Sequence, residues 1–356
     1  MTILYILAAV LLFGILITVH EAGHFFAARL MKIPVREFAI GFGPKLLKWN
    51  RRKHETEFFL RAIPLGGYCA FYGEDDTKDE FKDDPRAFSK FSVPKRLLTI
   101  LMGPLMNLAL ALIVAVLLYS MTGIPVAGGP YTTQVTSVSE NSAAQAAGML
   151  PDDIILSVDG QPVTDNLSLL LAQGEPNSSH RIVVSRLVEG NDTETELIVT
   201  PVFDPVEQRS LIGILMTISQ PVTMVSGSIS QVIQHAAKLS WQAGTLVINA
   251  IVNLVTSGEG AGEVSGVVGI TKMIVDEIRQ THLEGYLYLM IVISINLGLM
   301  NLLIIPGLDG SRVLFLLIEA VRGKPIAKEG YVHAAGMIFL FALMILITFR
   351  DVIRLF

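Results

Sequence analysis

His20, Glu21 and His24 stand in the order His-Glu-x-x-His. On a helix, residues four apart share a face, so the two imidazoles stack one above the other. Such a pair can hold one zinc ion, with the glutamate beside it as acceptor for a proton of bound water. The motif lies within the first long apolar run, between Ile15 and Ala27. Three ionisable groups in a membrane-length helix are costly, which marks a functional site. Short patterns also arise by chance, and a histidine near a helix end can snorkel to the interface. A third ligand at the same depth is needed to decide.

The rest of the chain sets that depth. Of 356 residues, 51% are hydrophobic and only 17% charged, against about 25% in a soluble domain. This composition points to an integral membrane protein. A formal net charge of -5 gives no reason to expect nucleic-acid binding. The one cysteine, Cys69, excludes an intrachain disulfide and a cysteine-rich metal cluster. The first apolar run has no basic segment before it and exceeds a signal-peptide core, so it is expected to be retained. Basic residues crowd between the first two apolar runs, among them Arg29, Lys32, Arg36, Lys45, Lys48, Arg51, Arg52, Lys53, Lys90, Lys95 and Arg96. The positive-inside rule assigns that loop to the cytoplasm.

Four spans are expected, at about 3–26, 97–120, from Tyr286 onward, and 331–349. Between the first two, glycines and prolines in 34–73 break any long helix, and Glu57–Ile63 and Gly66–Tyr72 read as two aromatic-rich strands. Their edge, at Gly66, Gly67 and Tyr68, can pair with an extended peptide; an ordinary cytoplasmic hairpin is the alternative. Asn107 and Asn301 are polar groups inside spans, suited either to substrate or to an interhelical hydrogen bond. Residues 125–219 alternate strand-like runs with short helices and a tight turn at Asp159-Gly160. Residues 220–284 read as interfacial amphipathic helices followed by a Gly-rich stretch, with Leu246–Val255 too short to span. The membrane halves are then 1–124 and 285–356.

Depth selects the third ligand. The first span runs inward, so His20 lies roughly 25 Å along it, near the cytoplasmic side. Asp309 is about 23 residues into the third apolar run, roughly 34 Å along an ideal helix, and reaches a similar level. A carboxylate there needs a cation, and a catalytic zinc needs a third protein ligand and an open position. Pro306 and Gly307 suggest a break just before Asp309, tolerated where backbone lines a cavity.

The pattern His20-Glu21-x-x-His24, Gly103-Pro104-x-x-Asn107 and Asn301…Pro306-Gly307-Leu308-Asp309-Gly310 resembles the site-2 protease family, in particular the bacterial regulator of sigma-E type. The segment around Asn141–Gly148 and Pro151–Gly160 resembles a PDZ domain, with Ser210–Ile214 like its peptide-capturing loop in a circularly permuted form. The resemblance covers nearly the whole chain. It implies an α-helical membrane protein with about four transmembrane helices, a membrane-associated β-hairpin region at 57–72 that guides substrate, and an inserted α+β PDZ-like domain. It implies zinc held by His20, His24 and Asp309, with Glu21 as general base. The expected activity is hydrolysis of single-span membrane proteins within the bilayer, such as anti-sigma factors or signal-peptide remnants. The expected location is the bacterial inner membrane, with the PDZ-like domain outside and the active site near the cytoplasm. That domain would hold peptide C-termini or act as a size filter. Two positions depart from the family: Ile304 and Val267 stand where prolines are common. A zinc transporter and a non-catalytic adaptor are the rival classes; the first predicts flux without proteolysis, the second no zinc.

Overall fold

The computed structural model describes residues 2–353 except 51–55, 75–80, 82, 130, 165–166, 173–177, 189–190, 205–208, 261, 263–264, 325 and 327–328. Arg51, Arg52, Lys53, Gln173, Pro325, Lys328 and part of the charged loop 74–92 therefore lie outside the described residues. The chain divides into two compact units, one of Met1–Gly123 with Ser226–Phe356, the other of Ile124–Val225.

The first unit opens with α1 (Thr2–Met31), an almost wholly apolar helix. It ends where Lys32 turns into the left-handed region, two residues ahead of Pro34. The backbone before a proline resists helical angles, so the chain leaves extended. It forms β1 (Val35–Asn50) and β2 (Glu57–Phe71). The sequence anticipated the β2 residues as two strands; it did not anticipate β1, whose Gly41, Gly43 and Pro44 read as breakers. Gly41 and Gly43 adopt φ of +86° and +83°, which lets the strand bend back on itself. As a result Phe38 is opposed by Cys69 on one side and Phe58 on the other, while Trp49 also meets Phe58. Residues Gly67–Phe71 have Val35–Ile40 on one side. After one turn of 3-10 helix at Phe88–Lys90 comes α2 (Val93–Thr122), with Pro94 in its first turn and Gly123 past its end.

The second unit contains β3 (Ile124–Ala127), β4 (Thr132–Val138), α3 (Ala143–Ala146), β5 (Ile154–Val158), β6 (Gln161–Pro162) and α4 (Leu167–Leu171). These are followed by β7 (His180–Val188), β8 (Asn191–Val199), β9 (Val202–Asp204), β10 (Arg209–Leu211), β11 (Ile214–Ser219) and β12 (Val222–Val225). The main sheet runs β11-β4-β5-β7-β8, with β6 on β5. Asp159 and Gly160 both have positive φ and close the two-residue β5–β6 turn. Val135, Ile155, Val158, Ile182, Val184 and Val199 alternate inward to make the core. Strand β12 pairs with β3, so 220–225 belong here rather than to the segment that follows.

The first unit resumes with α5 (Ile229–Thr256), α6 (Val267–Asn301), α7 (Asp309–Arg322) and α8 (Glu329–Ile353). The segment expected to form interfacial helices holds the first part of α6 and, before it, one 28-residue helix, α5, opened by a reciprocal capping box of Ser228 and Gln231. The sequence reading judged only its second half; taken whole it is long and apolar enough to cross a membrane. Val232, Ala236 and Ala243 are its buried face. Five helices among the described residues meet that length and apolarity: Leu4–Met31, Val93–Thr122, Ile229–Thr256, Val268–Asn301 and Glu329–Ile353. Helix α6 kinks at His282, where φ is 58° and ψ is −127°. It stops at Asn301, and Leu302–Leu308 interrupt the helical path, with Gly307 at φ +99°. Asp309 thus opens a new helix rather than continuing the third run, which corrects the straight-helix estimate while keeping the expected break. Ile304 lies exposed in this interruption, and α6 begins at Val267 without a proline.

Candidate active site

Helix α1 places His20 and His24 one turn apart, and both are buried. Their Nε2 atoms are 3.3 Å apart. The first carboxylate oxygen-bearing turn of α7 meets them: Asp309 Oδ2 is 3.2 Å from His20 Nε2 and 3.4 Å from His24 Nε2. Three donor atoms thus form a nearly equilateral triangle. Tetrahedral zinc with bonds of about 2.0–2.1 Å separates its ligands by roughly 3.3–3.4 Å. Asp309 Oδ2 is also buried without a hydrogen-bond partner, and a cation would satisfy it. The donor set and its spacing fit zinc. Among the described residues, these three are the group of His, Cys, Asp and Glu side chains able to hold a metal.

Glycines allow this convergence. A Cβ on Gly103 of α2 would lie 2.2 Å from His24 Nε2, and one on Gly23 would lie 2.2 Å from the Met102 carbonyl. Helices α1 and α2 therefore meet at backbone distance. A Cβ on Gly310 would lie 2.2 Å from the Leu302 carbonyl, so glycine there lets α7 start directly beneath the end of α6. His24 Nδ1–H donates to the Thr99 carbonyl at 3.0 Å. A carbonyl only accepts, so Nδ1 carries the proton and Nε2 presents a bare lone pair.

Glu21 sits beside the triangle and lines the same cavity as Cys69 of β2. Two residues on, the Phe71 N–H donates to Glu74 at 3.4 Å. Glu74 in turn pairs with Arg312, one turn along α7 from Asp309. Arg96 of α2 grips Glu319 of α7 with two hydrogen bonds of 2.5 and 3.0 Å. Helix α7 is thus tied to the sheet at one end and to α2 at the other, which holds Asp309 in place.

A cavity of about 560 Å³ opens on the cluster, lined by His20, Glu21, His24 and Asp309 together with Tyr68, Asn301, Glu74, Arg312 and His333. Of the sequence-predicted residues, the four chemical groups come together, and Tyr68 and Asn301 line the same space. Gly67 packs behind it, where a Cβ would lie 3.2 Å from Glu21 Cγ, and Gly66 lies against the Phe42 ring. Asn107 is fully buried with its amide 3.2 Å from His20 Nδ1, behind the cluster rather than in the cavity. Of the two roles expected of Asn107, this placement is that of the interhelical hydrogen bond. Arg312 and His333 were not anticipated. Both are ionisable residues in apolar surroundings, the signal that could have found them. His333 Nδ1 accepts from the Gly307 N–H at 2.9 Å and so supports the break before Asp309.

The chain is similar to known zinc metalloproteases. The chain is 32% identical over 359 residues to the "Putative zinc metalloprotease" of Clostridium acetobutylicum, covering 99% of this chain and 98% of that one. It is 29% identical over 434 residues to zinc metalloprotease RasP of Oceanobacillus iheyensis, covering 99% of each. RasP of Geobacillus kaustophilus is 29% identical over 435 residues, covering 99% of this chain and 98% of the relative. The model of peptidase family M50 matches residues 8–346, nearly the whole length, and the chain belongs to that family.

Proposed function

We propose that the protein is a zinc metalloprotease that cuts single-span membrane proteins within the bilayer. The observation that carries this reading is the triangle of His20 Nε2, His24 Nε2 and Asp309 Oδ2, at 3.2 to 3.4 Å, with Glu21 beside it. Those three residues would hold the metal. When bound, zinc supplies a Lewis acid for the scissile carbonyl and makes water more acidic. Glu21 takes the proton from the attacking water and delivers it to the leaving amine.

A substrate helix hides its backbone in internal hydrogen bonds and must be unwound before attack. The Gly67–Phe71 edge of β2, which faces the cavity through Tyr68, Cys69 and Phe71, offers a strand to pair with it. Asn301 reaches the same cavity and can hold a substrate carbonyl. In the second unit, β11 is an edge strand that follows the left-handed Gly213. This supports a PDZ-like role, either holding an extended C-terminus or filtering substrates by size.

Four net crossings are proposed. His333, near the start of α8, supports the site through Gly307, whereas Asp351 near its end accepts from the Gly266 and Gly269 N–H groups. Those α8 residues are separated by roughly 27 Å of helix. The beginning of α6 therefore lies a membrane thickness from the site, and its second part returns to Asn301. Helix α5 starts on that far side too, where His235 meets Tyr119 of α2. Its Gly244 then packs beside Ile295 and Leu299 of α6. With the basic loop cytoplasmic, the site faces the cytoplasm and the unit inserted after α2 is external, as in a bacterial inner membrane protein.

The test is cleavage of a panel of single-span substrates by detergent-purified protein, with zinc measured on every sample. Wild type should cleave. Glu21→Gln should retain zinc and lose cleavage, and Asp309→Ala should lose zinc. Zinc binding without cleavage of any substrate would turn the reading toward a transporter, and no zinc in wild type would turn it toward an adaptor.

A further inference from the structure

We infer that Asn107 is a positioning residue that fixes the tautomer of His20 through its amide oxygen. The inference rests on the proposed ligand set. Helices α1 and α2 meet in a matched register: His24 lies on Gly103, and His20 lies on Asn107, each pair four residues apart on its helix. His24 is settled, because Thr99 offers its Nδ1 only a carbonyl. His20 differs, since an amide can present either a donor or an acceptor. In one orientation Nδ2 donates to His20 Nδ1, which forces the ring proton onto Nε2, the atom that faces Asp309 and His24. That orientation disables His20 as a ligand. In the other, Nδ1–H donates to Asn107 Oδ1 and Nε2 is free.

Hydrogen-bond counting does not choose between them. With Nδ2 toward the ring, Oδ1 is buried and has no partner; the reverse leaves Nδ2 in that place. The ligand role of Nε2 makes the choice, as in metal sites where the outer ring nitrogen donates to an oxygen. The position of Asn107 is itself held, because its backbone carbonyl accepts from the Ser294 hydroxyl of α6 at 2.8 Å. This bond survives any side-chain substitution. Asn107 is fully buried and does not line the cavity, so substrate does not reach it.

The experiment is zinc affinity by chelator competition on the detergent-purified full chain, with thermal stability alongside. Asn107→Leu conserves volume and removes the acceptor; zinc affinity should fall by about 10- to 100-fold. Asn107→Asp keeps an acceptor and removes the donor; its zinc affinity should stay within a few-fold of wild type. A purely packing role predicts the reverse order, with Leu tolerated and Asp not. Unchanged zinc affinity in Asn107→Leu, or an equal loss in Asn107→Asp, overturns the inference. So does a raised KM with unchanged zinc affinity, which would make Asn107 a substrate residue. Failure of the ligand set itself reads differently: His20→Ala would then keep its zinc.

Discussion

Gly103 of α2 lies so close to His24 of α1 that a Cβ would sit 2.2 Å from the ring nitrogen facing the cluster. No rotamer adjustment of the imidazole is free, because its other nitrogen is bonded to the Thr99 carbonyl and the ring is buried. Gly103→Ala should therefore displace a metal-facing atom rather than merely loosen a helix pair. An error of about 1 Å at a reacting centre can cost on the order of 100-fold in rate. We expect at least that loss of cleavage, with zinc content reduced in parallel. Wild-type cleavage in Gly103→Ala would show that the helices can separate without harm to the site.

Asp351 ties the two ends of the second membrane half together. Its Oδ2 accepts from the Gly266 N–H at 2.7 Å and the Gly269 N–H at 2.9 Å, at the opening of α6. These amides have no partner within their own helix, and a carboxylate also suits the positive end of the helix dipole. Asp351→Ala should destabilise the protein by about 1–3 kcal/mol, the cost of leaving a buried donor unmet. Thermal unfolding in detergent would show it, and zinc content of the folded fraction should be unchanged because the site lies at the far end of α8. Loss of zinc at full stability would contradict this account.

Residue spacing carried the chemical centre further than it carried its support. The His20–His24 face follows from helical period alone, and Asp309 followed from depth, even though its helix proved to be a new one. The Asp159-Gly160 turn and strand β5 were equally local in origin. What escaped depends on contacts distant in sequence. Strand β1 carries its own apparent breakers, and only its partners on both sides show why Gly41 and Gly43 are there. Asn107 read either as a substrate group or as an interhelical hydrogen bond, because a polar residue in a span needs a partner, and sequence does not show that the partner is His20. Helix α5 was divided by its polar residues, although its buried Val232, Ala236 and Ala243 form one continuous face.

The second unit should carry a local acid sensitivity at Asp159. Its carboxylate accepts from the Arg181 N–H at 2.8 Å and lies 2.7 Å from His180 Nδ1. The Arg181 amide first, then the His180 side chain, hold its pKa below the usual value of 3.8. A depressed carboxylate contributes its full stability above the unfolded pKa and loses it as pH falls through the folded one. The β5–β7 pairing beside this turn should thus be protected at pH 5 and open progressively below about pH 4. Amide exchange at Arg181 would report it. Asp159→Asn should remove that pH dependence, and an unchanged profile in the variant would assign the effect elsewhere.

The Arg96–Glu319 pair tests whether α7 is held by charge or by shape. Both side chains are nearly buried, at 6% and 11% exposure, and the contact is bidentate at 2.5 and 3.0 Å. Removing one partner strands the other charge in an apolar setting, which typically costs about 3–5 kcal/mol. Arg96→Met alone also loses the bond from its Nε to the Phe91 carbonyl. Replacing both partners, as in Arg96→Met with Glu319→Leu, removes the stranded charge and should recover most of that loss. Zinc affinity adds a second readout, since α7 carries Asp309. If the pair only holds shape, the double variant should recover both stability and zinc affinity. If the two charges fix the angle at which α7 meets α2, stability should return while zinc affinity stays low, because apolar packing lacks the direction of a paired guanidinium and carboxylate. The bidentate geometry predicts the second outcome.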